Sequence, residues 1–121
     1  MSGEAYPDLK PDACGKVDVD GAMICYRLFG FMEEDGESRR ETVVFLHGNG
    51  EDWRCFKKQI GPFSKLYRVV AIDSRGHGSS TPGAGKLTLG TMAEDVSAVL
   101  DALEITRASI IGFSDGGNVA I

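Results

Sequence analysis

The sequence predicts an α/β fold in which an antiparallel β-hairpin is followed by parallel βαβ units. Three observations point there. Residues 14–28 alternate apolar and polar side chains about Asp20-Gly21, a two-residue hairpin turn. Short continuous apolar runs follow, at Thr42–Leu46, Tyr67–Asp73 and Ala108–Ile111, the first of them suited to a strand buried on both faces. Strand, loop and helix recur three times at βαβ spacing, with no sequence repeat of fixed period.

Residues 1–13 carry Pro7 and Pro11 and no clear period, and form a lead-in; the domain proper is assigned to residues 14–121. Pairing about Asp20-Gly21 sets Val19 opposite Ala22, Val17 opposite Ile24 and Gly15 opposite Tyr26. One face is then apolar (Val17, Val19, Ala22, Ile24, Tyr26, Leu28). The other holds Lys16, Asp18, Met23, Cys25 and Arg27, so the hairpin is expected to lay one face on the core. In this register Cys14 opposes Arg27 and Cys25 opposes Lys16, which disfavours a Cys14–Cys25 bridge. Phe31 to Glu41 is a charged, solvated connector.

The Thr42–Leu46 strand runs straight into His47-Gly48-Asn49-Gly50, whose glycines let a backbone loop approach a ligand closely. Trp53, Phe56 and Ile60 then fall at helical spacing, in a helix predicted to end at Gly61-Pro62. Trp53 and Phe56 suit a helix core, and Trp53 is also the candidate for lining a substrate pocket. The second apolar strand leads into Ser74-Arg75-Gly76-His77-Gly78-Ser79-Ser80 and a Gly/Pro-rich loop to Lys86. Thr88 can cap a helix whose apolar stripe is Leu89, Met92, Val96, Leu100 and Leu103.

The third strand enters Gly112-Phe113-Ser114-Asp115-Gly116-Gly117, and Asn118 to Ile121 begin another helix. A serine at the apex of a strand-to-helix turn, with glycine two residues either side, is the G-x-S-x-G nucleophile pattern. The serine sits in a strained turn that exposes its hydroxyl. The flanking chain passes so close that side chains at Gly112 and Gly116 would collide. The following helix aims free N–H groups and its positive end at the reacting centre. In a chain with 16 glycines the pattern alone is weak.

Composition excludes several function classes. A net charge of −5 offers no basic footprint for nucleic acid. The apolar runs are far too short to span a membrane, and Met1-Ser2-Gly3-Glu4, with no basic or apolar region, does not read as a signal peptide. Three cysteines are an odd count, fitting reduced thiols in a cytoplasmic protein rather than a secreted disulfide framework. No CxxC or His cluster suggests a metal, and no cofactor is called for. Nothing in the pattern bears on oligomeric state.

Taken together, a strand ending in His47-Gly48-Asn49-Gly50, a strand ending in Asp73-Ser74-Arg75-Gly76-His77-Gly78-Ser79, and a strand ending in Gly112-Phe113-Ser114-Asp115-Gly116-Gly117 resemble the N-terminal portion of an α/β-hydrolase fold protein, up to and including the nucleophile turn. The resemblance covers about residues 14 to 121. It implies that Ser114 is the catalytic nucleophile and that the backbone N–H groups of Asn49 and Asp115 form the oxyanion hole. His47, Gly48, Gly112 and Gly116 would shape the site.

The family order is serine, acid, histidine. His47 and His77 both precede Ser114, so His47 is expected to shape the oxyanion loop and His77 to order its own turn. Asp73 and Arg75 are expected to brace loops, and Asp73 is not the triad acid. On this pattern the domain is incomplete: triad acid, triad histidine, later strands and cap are absent, and the last strand is left near an open sheet edge. With no base in position, the 121 residues alone are expected not to be a competent hydrolase.

The resemblance implies acyl transfer to water, with an ester or similar small-molecule substrate. Serine at position 114 argues against haloalkane dehalogenases of this fold, which carry aspartate there. Non-hydrolytic relatives share the same motifs. The alternative is a catalytically incomplete fragment or a non-catalytic binding module. Asp115 could attract a cationic substrate group, although an acid at a helix N-terminus also favours the helix dipole.

Overall fold

The computed structural model describes residues 10–19, 21–31, 41–48, 52–74, 76, 80 and 89–112. In chain order the elements are β1 (Ala13–Val19), β2 (Ala22–Phe29), β3 (Thr42–Leu46), a 3₁₀ turn (Trp53–Phe56) running into α1 (Lys57–Ser64), β4 (Arg68–Ile72), α2 (Leu89–Ala102) and β5 (Ser109–Gly112). The strands form one mixed sheet in the order β1-β2-β4-β3-β5. The β1–β2 hairpin is antiparallel, β2 pairs antiparallel with β4, and β3 runs parallel to both β4 and β5. No helix among the described residues is long and apolar enough to cross a membrane.

The hairpin register is the expected one, from Val19–Ala22 through Lys16–Cys25 to Cys14–Arg27. Gly21 takes φ 88°, which a glycine reaches without steric cost, and its N–H donates to Asp18 Oδ1 at 2.9 Å. The one-faced expectation holds for β1 and fails for β2. Cys25, on the face expected to be polar, is buried, and so is Phe29 further along the same face. The cause is position: β2 sits inside the sheet between β1 and β4, so both of its faces are covered. β1 itself begins at Ala13, within the stretch assigned to the lead-in. Phe31, assigned to the solvated connector, packs against the core, with the Arg68 guanidinium 4.7 Å from its ring centroid.

Every residue of β3 is buried, and alternation sends its side chains to two cores. Val44 and Leu46 join Ile24, Val70, Ile72 and the α2 residues Val96 and Val99. Val43 and Phe45 join Phe29, Val69, Ala71, Phe56 and Ile60 on the opposite face. The sheet is thus sandwiched between α1 and α2. The α2 stripe holds for Met92 and Val96, gains the fully buried Val99, and leaves Leu100 and Leu103 half-buried. Thr88 lies outside the described residues.

The helix after β3 departs from expectation. It runs through Gly61-Pro62 to Ser64. An interior proline costs about 3 kcal/mol, while burying one large apolar side chain contributes about 1.5–3 kcal/mol. Here Ile60 is fully buried, and Phe63 packs edge-on against Phe45 at 5.4 Å between centroids. Gly61 has no Cβ for the proline Cδ to strike, which relieves the usual bar to helix before proline. The end of this helix is crossed by Gly30, at φ 76°, where a Cβ would meet the Ser64 and Tyr67 carbonyls.

Candidate active site

The site is built where the parallel strands end. Leu46 on β3 is in register with Ile72 on β4 and with Gly112 on β5. The chain therefore leaves the sheet at one level from three adjacent strands: into His47-Gly48, into Asp73-Ser74, and past Gly112. Asn49, Ser114, Asp115 and Gly116 lie outside the described residues, as do Arg75 and His77.

His47 is 1% exposed. Its Nε2 lies 2.9 Å from the backbone nitrogen of Ser74, and its Nδ1 lies 2.7 Å from the carbonyl oxygen of Gly48. The Ser74 N–H can only donate, so Nε2 must be the acceptor. The ring proton therefore sits on Nδ1 and is donated to the Gly48 carbonyl. Both nitrogens of the imidazole hold loop backbone, and the Nε2 lone pair that a general base would use is occupied.

Asp73, fully buried, organises the next layer. Its Oδ1 accepts the backbone N–H of Trp53 at 2.9 Å, and its Oδ2 accepts from the Arg27 guanidinium on β2 at 3.0 Å. The Arg27 guanidinium also lies 5.1 Å from the Trp53 ring centroid. On its other contacts, the Trp53 indole packs against Phe29 at 5.6 Å between centroids and is half-buried at the edge of the core. The loop between β3 and α1 is thus tied at both ends to two consecutive residues, His47 to Ser74 and Trp53 to Asp73.

The β2–β4 ladder is finished by a side chain. Beyond the Tyr26–Ile72 pair, the Asp73 N–H donates to the Cys25 carbonyl at 3.0 Å. The reciprocal bond passes through a hydroxyl: Cys25 N–H donates to Ser80 Oγ, and Ser80 Oγ donates to the Asp73 carbonyl, each at 2.7 Å. Ser80, seven residues beyond Asp73, is thereby fastened back onto β2.

Asp52 caps the 3₁₀ turn by accepting the Arg54 N–H at 2.9 Å, and its Oδ2 pairs with the Arg54 guanidinium at 2.7 Å. The bond to that guanidinium holds the Asp52 carboxyl below the usual carboxylate range. A cavity of about 580 Å³ lies at the other end of the strands, lined by Thr42, Arg68, Arg107 and Ser109 among others. Thr42, Arg68 and Ser109 are the first residues of β3, β4 and β5, so this cavity is remote from the loops just described.

Arg27, Ser74 and Ser80 escaped the reading of the sequence. Arg27 carried a signal, as a cation on a strand face that proved to be covered. Ser74 stood inside the motif after the second strand with no role assigned to it, and Ser80 carried no signal.

The family model described as alpha/beta hydrolase fold matches residues 41–121. The chain is 38% identical over 103 residues to the dihydrolipoyllysine-residue acetyltransferase component of the acetoin cleaving system of Cupriavidus necator, covering 85% of this chain and 26% of that protein. It is 37% identical over 87 residues to 3-oxoadipate enol-lactonase 1 of Acinetobacter baylyi, covering 72% of this chain and 32% of that protein. The crystal structure of the enol-lactonase from Burkholderia xenovorans LB400 superposes with a TM-score of 0.77 at 32% identity, over 87% of this chain and 39% of that one. The chain spans about a quarter to a third of the length of the curated relatives it matches.

Proposed function

The chain belongs to the α/β-hydrolase fold family, and on that footing we propose that it carries the nucleophile and the oxyanion hole of a serine hydrolase acting on an ester or lactone bond. The observation that carries this is the register of Leu46 with both Ile72 and Gly112. It supports bringing the segment after His47 and the segment after Gly112 out of the sheet side by side, as attack and oxyanion stabilisation on one carbonyl require. A lactone is a cyclic ester, so the enol-lactonases among the relatives favour acyl chemistry.

In this mechanism Ser114 Oγ attacks the carbonyl carbon, and the negative oxygen rests on the N–H groups of Asn49 and Asp115. A trans peptide sets its N–H opposite its C=O. The His47 Nδ1–H that holds the Gly48 carbonyl therefore also sets the direction of the next N–H, the one assigned to the oxyanion. The general base, on the family's order, is a histidine that follows Ser114. That histidine takes the Ser114 proton and gives it to the leaving alkoxide as the acyl C–O bond breaks; it then deprotonates a water that attacks the acyl-enzyme and frees Ser114. Gly112 and Gly116 allow the close passage of chain about the serine, and Trp53 is the weaker candidate for the pocket wall.

The test is labelling of the full-length protein by a fluorophosphonate probe, which reports an activated serine. Labelling at Ser114, lost in Ser114→Ala and competed by a lactone, is expected. A folded protein that does not label would favour a non-catalytic binding module.

A further inference from the structure

We propose that Arg27, on the antiparallel hairpin, is a positioning residue for the oxyanion loop, acting through Asp73 and Trp53; this rests on the serine-hydrolase reading above. Among its described residues, the loop of residues 47–53 has two anchors on the segment after β4. The first is the imidazole of His47, already accounted for. The second is the bond from the Trp53 N–H to Asp73 Oδ1 at 2.9 Å. Asp73 is buried, with 1% of its side chain exposed, and a carboxylate in such a place must be paired. Arg27 supplies the cation to the other oxygen at 3.0 Å. The same guanidinium lies 5.1 Å from the Trp53 ring centroid. One planar cation therefore fixes both the acceptor of the Trp53 N–H and the indole of the same residue.

The hairpin is a firm base for this clasp. Arg27 is held in register with Cys14 on one side and Ala71 on the other, so its Cα cannot drift along the strand. Loss of the guanidinium would remove the cation that Asp73 Oδ2 accepts from. The carboxylate would turn toward water and draw the Trp53 end of the loop with it. Asn49, the proposed oxyanion donor, falls between the two anchors in sequence, and small displacements of such donors cost rate rather than substrate binding.

The experiment uses full-length protein, with p-nitrophenyl butyrate as substrate. Arg27→Gln should lower kcat about 10- to 100-fold while KM moves less than about two-fold, since the loss lies in the transition state. Arg27→Lys, which keeps the cation, should recover most of that loss. Arg27→Gln/Asp73→Asn should lose no more than the worse single variant, because the two residues act in series. It removes both charges of the pair together, so it tests the clasp where a single change, which splits the pair, unfolds the protein. Trp53 emission, read against Trp53→Phe as blank, should shift to the red and become more open to acrylamide in Arg27→Gln. Lys16→Gln, on the exposed edge strand, should change neither rate nor emission. Wild-type kcat and wild-type emission in folded Arg27→Gln would overturn the clasp, as would additive losses in the double variant. Full esterase activity in Ser114→Ala would sink the serine-hydrolase reading instead, and the Trp53 emission would still decide the clasp.

Discussion

The Nε2 atom of His47 accepts a hydrogen bond from the backbone N–H of Ser74 at 2.9 Å, which leaves this buried imidazole no lone pair with which to take a proton from a serine. Its place is structural, between the ends of β3 and β4, with its other nitrogen on the Gly48 carbonyl.

His47→Ala should therefore lower kcat by about 10²-fold through misplacement of the next N–H, an effect the size of a lost oxyanion donor. The residual activity should keep the wild-type apparent pKa in a plot of log kcat/KM against pH, because the proposed mechanism takes its base from a histidine that follows Ser114. If the acidic limb of that profile vanished in His47→Ala, the imidazole would be the base after all.

Gly48 is the second point of leverage on the same peptide. Gly48→Val puts a branched side chain into a loop whose carbonyl is already held by His47. It is expected to reduce kcat by about 10²–10³-fold by displacing the Asn49 N–H. Esterase kinetics on a variant with wild-type circular dichroism decide the matter: an unchanged kcat would remove Asn49 from the oxyanion hole.

Much of this architecture could be read from residue order because its causes are local. The Asp20-Gly21 turn and strict alternation leave one register for the hairpin, and Val19–Ala22 through Cys14–Arg27 follow it. The unbroken apolar run of β3 called for two covered faces, and it has them. What stayed hidden depends on distant partners. Arg27 and Asp73 are 46 residues apart, and nothing near either names the other. Helix continuation through Pro62 was obscured by a local rule that the missing Cβ of Gly61 relaxes. Ser80 closes a ladder between β2 and β4, which only the folded sheet brings within its reach.

Glu104 occupies a position that favours glycine. It follows α2 with φ 60°, its N–H donating to Asp101 O at 3.0 Å and the Ile105 N–H to Leu100 O at 2.9 Å. These two bonds make a Schellman cap, in which the residue at positive φ is usually glycine. A left-handed conformation costs an ordinary residue about 1–2 kcal/mol. Glu104→Gly should consequently raise stability by about 0.5–1 kcal/mol, the gain being trimmed by the extra unfolded-state freedom of glycine. Urea denaturation midpoints compare the two proteins directly, and a lower midpoint for Glu104→Gly would show that Glu104 makes a stabilising contact that outweighs its strain.

Asp52 gives a pH signature. Its folded pKa is lowered from 3.8, first by the hydrogen bond from the Arg54 side chain. A depressed carboxylate pKa contributes stability that is fully present above the unfolded value and is lost as pH falls through the folded one. Asp52→Asn preserves the cap, because asparagine caps as well as aspartate, and removes only the charge. The stability gap between wild type and Asp52→Asn should be small, because the Arg54 guanidinium is exposed and water screens the pair. It should hold from neutral pH down to about 5 and shrink below 4. A gap that widened on acidification would reverse the sign of the proposed linkage.

Ser80 offers a sharper test of how the site is held. Its hydroxyl accepts from the Cys25 N–H and donates to the Asp73 carbonyl, both at 2.7 Å, in the place of a direct rung between β2 and β4. All three residues are buried, so water cannot cheaply replace the bridge. Ser80→Ala removes it and should cost about 1–3 kcal/mol. Ser80→Thr keeps the hydroxyl and should cost less, its extra methyl being the only new demand on the packing. Because the bridge fastens the loop after β4 to the strand that carries Arg27, Ser80→Ala should also expose that loop to proteolysis before the protein unfolds globally. Limited proteolysis with trypsin, which can cut after Arg75, measures this. Equal cleavage rates at Arg75 in wild type and Ser80→Ala, together with equal denaturation midpoints, would mean that the hydroxyl bridge does not hold the loop.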